Sequence, residues 1–245
     1  MSTPLPPVET ILEACEATWP PAKITHQGAW TIRDGAGGGK RVSAATENWP
    51  TTEADVKTAE AAMKAIGHPP LFQIRAGEEP LDRLLTAHGY DIIDPVNIWV
   101  APVADLTRET PPPVSGFAIW PPFSIMIELW EAGEIGPARR DIMHRTSTPK
   151  TGILGRSDDS PAGVGFVAIH DGIAMIHALH VDPKLRRLGT ARNMILTAAH
   201  WAADQGADYI SLIVTQGNLA ANPLYASLGM HLVGHYHYRI KGENT

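Results

Sequence analysis

The chain has 245 residues, 44% of them apolar and 19% charged, with a formal net charge of −6. That composition can bury a core but offers no broad basic face, which argues against general nucleic-acid binding. The single cysteine, Cys15, excludes an intrachain disulfide; no Cys/His spacing resembles a metal site, and no apolar run approaches the ~18 residues of a membrane span.

Residues 1–9 carry prolines and lack the basic-then-apolar order of a secretory leader, so a cytoplasmic location is expected. Alternating apolar residues predict strands at 23–26, 29–33, 41–46 and 71–74, and helical periodicity predicts helices at 53–66 and 80–88. Gly35, Gly37, Gly38 and Gly39 before Lys40 invite a phosphate-loop reading, but Asp34 and Arg41 stand where that motif needs Gly and Ser or Thr, so a hairpin turn is expected. A strand at 92–100 precedes Thr110 and Pro111–Pro113, which read as a stiff linker between near-equal halves, 1–112 and 113–245. Beyond it the pattern predicts a strand at 117–120, helical segments within 127–143, and strands at 151–155 and 163–169. Asp171-Gly172 makes a hairpin into a strand at 174–181. A helix at 190–205, a strand at 209–214, a helix at 219–228 stopped by Gly229, and strand to 240 complete the chain. The fold class expected is α+β, layered, each half a mixed, mostly antiparallel sheet flanked by helices.

Two segments carry chemistry. Leu179-His180-Val181-Asp182-Pro183-Lys184-Leu185-Arg186-Arg187-Leu188-Gly189-Thr190-Ala191 joins a strand end to a helix start through a loop with Gly, a small residue and two arginines. Such a loop lets backbone approach a bulky anion, aims the first helical N–H groups at it, and adds positive charge. Downstream, residues 218–230 read N-L-A-A-N-P-L-Y-A-S-L-G-M. The first segment resembles the [Q/R]-x-x-G-x-[G/A] acetyl-CoA loop of the GCN5-related N-acetyltransferase (GNAT) superfamily, with Arg186, Gly189 and Ala191 at the pattern positions. The second is similar to that superfamily's N-x-x-A-x-x-L-Y-x-x-x-G-[F/M] segment at every specified position. Residues 84–90 have the same layout as 224–230, with Leu85 where Tyr225 stands, and the first half has no Arg-x-x-Gly-x-Ala loop before its longest helix. The chain therefore resembles tandem GNAT proteins with a degenerate half at 1–112 and a catalytic half at 113–245.

The resemblance implies acetyl-CoA as co-substrate, no metal, and direct transfer of acetyl to a primary amine in a ternary complex. An alkylamine is almost wholly protonated at neutral pH, a deficit of about 4.6 kcal/mol, so something must accept a proton. His177 and His180, on the strand that carries such histidines in similar acetyltransferases, are the candidates. Tyr225 stands at the family position of the acid that protonates the leaving thiolate. Leu179, His180 and Val181 would meet the pantetheine through backbone atoms at a bulge; Arg186, Arg187, Leu188, Gly189, Thr190 and Ala191 would hold the diphosphate, and Asn218 the pantetheine arm. Glu128 and Trp130 lie where the superfamily walls the acceptor cleft. The partner expected is a small-molecule or peptide amine, the protein being a monomer or homodimer. Alternatives are a non-catalytic acyl-CoA sensor and a nucleotide-binding protein using 186–191 as a loose phosphate loop.

Overall fold

The computed structural model describes residues 4–242. In chain order the elements are α1 (Val8–Thr18), β1 (Lys23–Gln27), β2 (Trp30–Asp34), β3 (Thr46–Glu47), α2 (Glu53–Ala65), β4 (Leu71–Arg75), α3 (Glu79–Ala87), β5 (Tyr90–Pro102), α4 (Val103–Leu106) and β6 (Gly116–Ile119). They continue with α5 (Ser124–Ala132), α6 (Pro137–Arg145), β7 (Lys150–Ser157), β8 (Ser160–His170), β9 (Ile173–Val181), α7 (Thr190–Asp204), β10 (Tyr209–Thr215), α8 (Ala221–Ser227) and β11 (His231–Lys241). This is a mixed α+β fold, its main sheet mostly antiparallel and flanked by helices, as expected.

Two compact units are drawn from interleaved segments: residues 1–19, 98–213 and 219–233 form the first, and 20–97, 214–218 and 234–245 the second. The Pro111–Pro113 run lies inside the first unit and not between the two. Two terminal elements account for the interleaving. Helix α1, whose Ile11, Ala14, Cys15 and Thr18 form one buried stripe, packs on β8 and β9 of the first unit. At the other end of the chain, β11 pairs antiparallel with β4 in the second unit, from Tyr236↔Arg75 to Ile240↔Leu71.

In the first unit the strands run β10-β9-β8-β7-β6, antiparallel except for the parallel β9/β10 pair. Each face is covered by different helices. A side chain at Gly152 would meet Met126 of α5, and one at Gly155 would meet Met194 of α7, so α5 and α7 lie on opposite faces of the sheet. Helix α1 packs on the same strands, β8 and β9, as α5 does.

The second unit is built on the three-stranded antiparallel sheet β1-β2-β3 and on β4 paired with β11. Trp30, Phe72, Met63, Leu81, Leu85 and Tyr90 fill its core. Asp82 accepts hydrogen bonds from Arg239 Nε and pairs with His237 Nε2, both at 2.8 Å, tying α3 to β11.

One expectation needs correction. Residues 41–46 are not one strand: positive φ at Ala36, Gly37 and Gly39 coils the chain into a 3-10 turn at Lys40–Val42, leaving only Thr46–Glu47 extended. The helical segments expected within 127–143 are α5 and α6, separated because Gly133 ends α5, Glu134 takes a positive φ and Pro137 starts α6. Helix α1 precedes the first expected strand; its stripe is three to four residues apart but sits just after a proline run that masks it.

The repeat between 84–90 and 224–230 is visible in the backbone. In both, the residue before the glycine donates to two carbonyls of the helix end: His88 to Leu84 and Leu85, Leu228 to Leu224 and Tyr225. The glycine then donates to the residue three before it, Gly89 to Thr86 and Gly229 to Ala226, each with φ +78°. A strand follows in both cases.

Candidate functional site

Strand β9 is the centre of the arrangement. Its register with β8 runs through Ile176↔Val167 and His177↔Phe166, then resumes at His180↔Val164 and Val181↔Gly163. Ala178 and Leu179 together therefore oppose Gly165, which is a β-bulge with Ala178 at φ +50°. The extra residue changes which way the side chains point. In an uninterrupted strand His177 and His180 would face opposite sides; here both face the α1/α5 side. His177 stacks on Trp19 with ring centroids 5.0 Å apart, while His180 lies against Gly133 at the end of α5. Leu179 points the other way, its Cδ1 converging on Gly165 with Met194 of α7. The parallel register of β9 with β10 covers Ile173↔Tyr209 to Ile176↔Leu212, and β9 continues past it to Val181.

The two histidines differ in setting. His177 is 2% exposed, and its Nε2 lies 2.8 Å from Thr18 Oγ1. Thr18 spends its hydroxyl hydrogen on Ala14 O at 2.7 Å, so His177 Nε2–H is the donor. His180 is half-buried, and its buried Nε2 has no hydrogen-bond partner. Burial, reinforced by the Arg186 charge and partly countered by Asp182, pushes the His180 imidazole below its ordinary 6.5, so it is neutral at pH 7.

The loop after β9 is short and tightly made. Asp182 Oδ1 accepts from Lys184 N–H at 2.9 Å, Leu185 N–H donates to Asp182 O, and Arg186 Nε reaches back to Val181 O at 3.3 Å. Arg187 holds a positive φ of 64° and Gly189 one of 81°, which only glycine adopts without strain. Arg186, Arg187, Leu188 and Gly189 are exposed, whereas Thr190 is buried and its hydroxyl points at Leu185 O. Helix α7 begins at once after Gly189 with no side-chain cap and no acidic residue in its first turn. Its first N–H groups, with no side-chain cap, are the kind of donors an anion takes. Ala191, the small pattern residue, is the second residue of the helix.

Tyr225 sits on α8, 5% exposed, with Trp99 the neighbouring ring at 6.3 Å. Burial pushes its phenol up to about 12, so the proton stays on oxygen throughout the neutral range. Trp99 Nε1 in turn donates to Asn222 Oδ1 at 3.0 Å, fixing the start of the same helix. Asn218 lies in an exposed turn of the second unit, its N–H donating to Thr215 O at 3.1 Å. Glu128 is exposed on α5, while Trp130 of the same helix is fully buried and donates from Nε1 to Ala178 O at 3.1 Å. Sequence reasoning missed Thr18, Trp19 and Gly133, which reach β9 from distant segments. The buried stripe of α1 is the one signal that could have flagged the first two. Among the described residues no group of His, Cys, Asp and Glu could hold a metal ion, and no helix is long and apolar enough to cross a membrane.

Residues 119–230 match the acetyltransferase (GNAT) family. The chain is 26% identical over 243 residues to the uncharacterized N-acetyltransferase YobR of Bacillus subtilis (strain 168), covering 96% of this chain and 98% of that one. Among solved structures it resembles a GCN5-related N-acetyltransferase from Kribbella flavida, with a TM-score of 0.70 at 19% identity over 96% of this chain and 95% of that chain. A tandem GNAT protein from the clavulanic acid biosynthesis pathway gives a TM-score of 0.59 at 12% identity, covering 88% and 79%. At these identities the two structures speak for the fold alone.

Proposed function

We propose, for a chain that is an N-acetyltransferase with a GNAT-family domain over residues 119–230, that acetyl passes directly from acetyl-CoA to a primary amine held beside it. One observation carries the reading: the bulged strand β9 leads into a basic, left-handed loop and an uncapped helix start. A diphosphate would sit on Arg186, Arg187, Leu188, Gly189, Thr190 and Ala191, and the pantetheine would run along the backbone of Leu179, His180 and Val181. Glu128 would draw an ammonium group towards the α5 side by its charge.

His180 is the better proton acceptor of the two histidines, because it is neutral at pH 7 and its Nε2 is uncommitted. His177 is held in one tautomer by Thr18 and contributes to the same face as a packed neighbour. Attack of the neutral amine on the thioester carbon expels a thiolate, to which the Tyr225 phenol donates. A phenol at about 12 does not ionise in the working range, so it remains a donor. The single cysteine is buried on α1, in the stripe that packs on β8 and β9, and direct transfer assigns it no role.

The paired helix ends at Leu84–Tyr90 and Leu224–Met230 support an internal repeat of the tandem type, with 1–112 the half that has lost its cofactor loop. Calorimetry with acetyl-CoA, followed by CoA release against a panel of amines, tests the whole reading. Neither binding nor release with any amine would overturn it.

A further inference from the structure

We infer that the last turn of α5 fixes the β9 bulge, with Trp130 as its positioning residue; this rests on acetyl-CoA lying along that strand. Ala178 holds a positive φ without being glycine, a conformation that costs about 1 kcal/mol and persists only where neighbours impose it. The bulge also takes Ala178 out of the regular β8 ladder, and its half-buried carbonyl needs another donor.

Trp130 supplies that donor. Its indole is fully buried, its only N–H is spent on Ala178 O at 3.1 Å, and its backbone carbonyl accepts from both Gly133 and Ile135. The same residue thus closes the helix end and grips the bulge. One turn on, Gly133 faces the flank of the bulge: a Cβ there would lie 2.5 Å from both Cγ and Nδ1 of His180. Contacts at 178 and at 180 leave Leu179 fixed between them, and with it the direction of the backbone groups that the cofactor would pair with. Trp130 thereby acts through Ala178 and not on either substrate.

Trp130→Phe keeps a ring and deletes the N–H, whereas Trp130→Leu also removes volume. The expected result is that both raise the KM for acetyl-CoA by the same factor, about tenfold, with kcat within about twofold of wild type. The leucine variant alone should melt well below the phenylalanine one. A KM rise that grows with lost volume, or a KM that stays put while Tm falls, would mean a purely structural tryptophan and overturn the inference. Gly133→Ala, on a partly exposed turn, is the second arm. It should raise the same KM several-fold by displacing His180, and an unchanged KM counts equally against the idea. Wild-type calorimetry separates the two levels. If wild type fails to bind acetyl-CoA, the cofactor reading falls and takes this inference with it; if it binds and the variants bind as well, only this inference falls.

Discussion

Helices α2 and α7 each begin after an extended segment in their own unit, yet their first turns are electrically opposite. At α2, Glu53 and Asp55 sit in the first turn, and the Asp55 carboxylate accepts from the Thr52 N–H at 2.8 Å and its hydroxyl at 2.6 Å. Its N-terminus is closed by its own side chains. At α7, Gly189 leaves the start without a side-chain cap, the exposed Arg186 and Arg187 precede it, and Arg192 of the first turn is paired with Glu109. The helix ends differ in the same sense: α3 buries Leu85 where α8 buries Tyr225, on otherwise matching hydrogen bonds. The helix starts thus differ in whether an anion could be accommodated, and the matching helix ends in whether a proton donor is present. That difference bears on the proposal that only one half of the chain retains chemistry.

The most severe way to break this contrast is at the helix end. Tyr225→Phe should lower kcat about 100-fold with little change in the KM for acetyl-CoA, read in steady-state CoA release. Because the phenol stands at about 12, wild type should show no alkaline limb from Tyr225 below pH ~10; a limb at pH 8 that vanishes in the variant would contradict the assigned state. Next, Gly189→Asp gives α7 the acidic start of α2. It places a like charge beside the diphosphate and should weaken acetyl-CoA binding roughly 50-fold by calorimetry.

Arg186→Gln is milder. It should raise the KM about fivefold, with the loss shrinking at high salt. The acid limb of kcat/KM sharpens the histidine assignment. His180 has its folded pKa lowered, so protonation sets in only below its ordinary 6.5. Activity should fall as pH drops below that value. Stability follows the same sign, since the unfolded chain binds the proton first and the His180 contribution is lost progressively as pH falls through this window. His180→Gln should abolish the limb, and a limb that persists unchanged rules out this base. The smallest effect is at α2, where Thr52→Ala should lower Tm by about 2 °C and leave acetyl-CoA binding untouched.

The parts legible in the sequence are those written locally. Gly189 at a helix start, the adjacent arginines and the Leu-x-x-x-x-Gly ending of two helices lie within short windows, and each takes the conformation its residues dictate. The bulge was expected within 179–181; the two residues sharing one partner are Ala178 and Leu179. The rest depends on segments far apart. Thr18 meets His177 across 159 positions and Trp130 meets Ala178 across 48, and no periodicity encodes such a meeting. The glycine cluster misled in a different way: buried Val42 beside Thr46 imitates strand alternation although the chain there is coiled.

A single supernumerary alanine works in β9 as a phase shifter. Compared with an uninterrupted strand, every position downstream of Ala178 is readdressed to the other side of the sheet, so that two histidines with odd spacing face the same side. Excising that one residue would make the spacing even and leave His177 and His180 on one face of a regular strand, whereas keeping it and straightening the bulge would turn His180 and Val181 to the opposite sides. The bulge therefore decides which side of the sheet these side chains occupy, as much as the sequence decides which side chains they are.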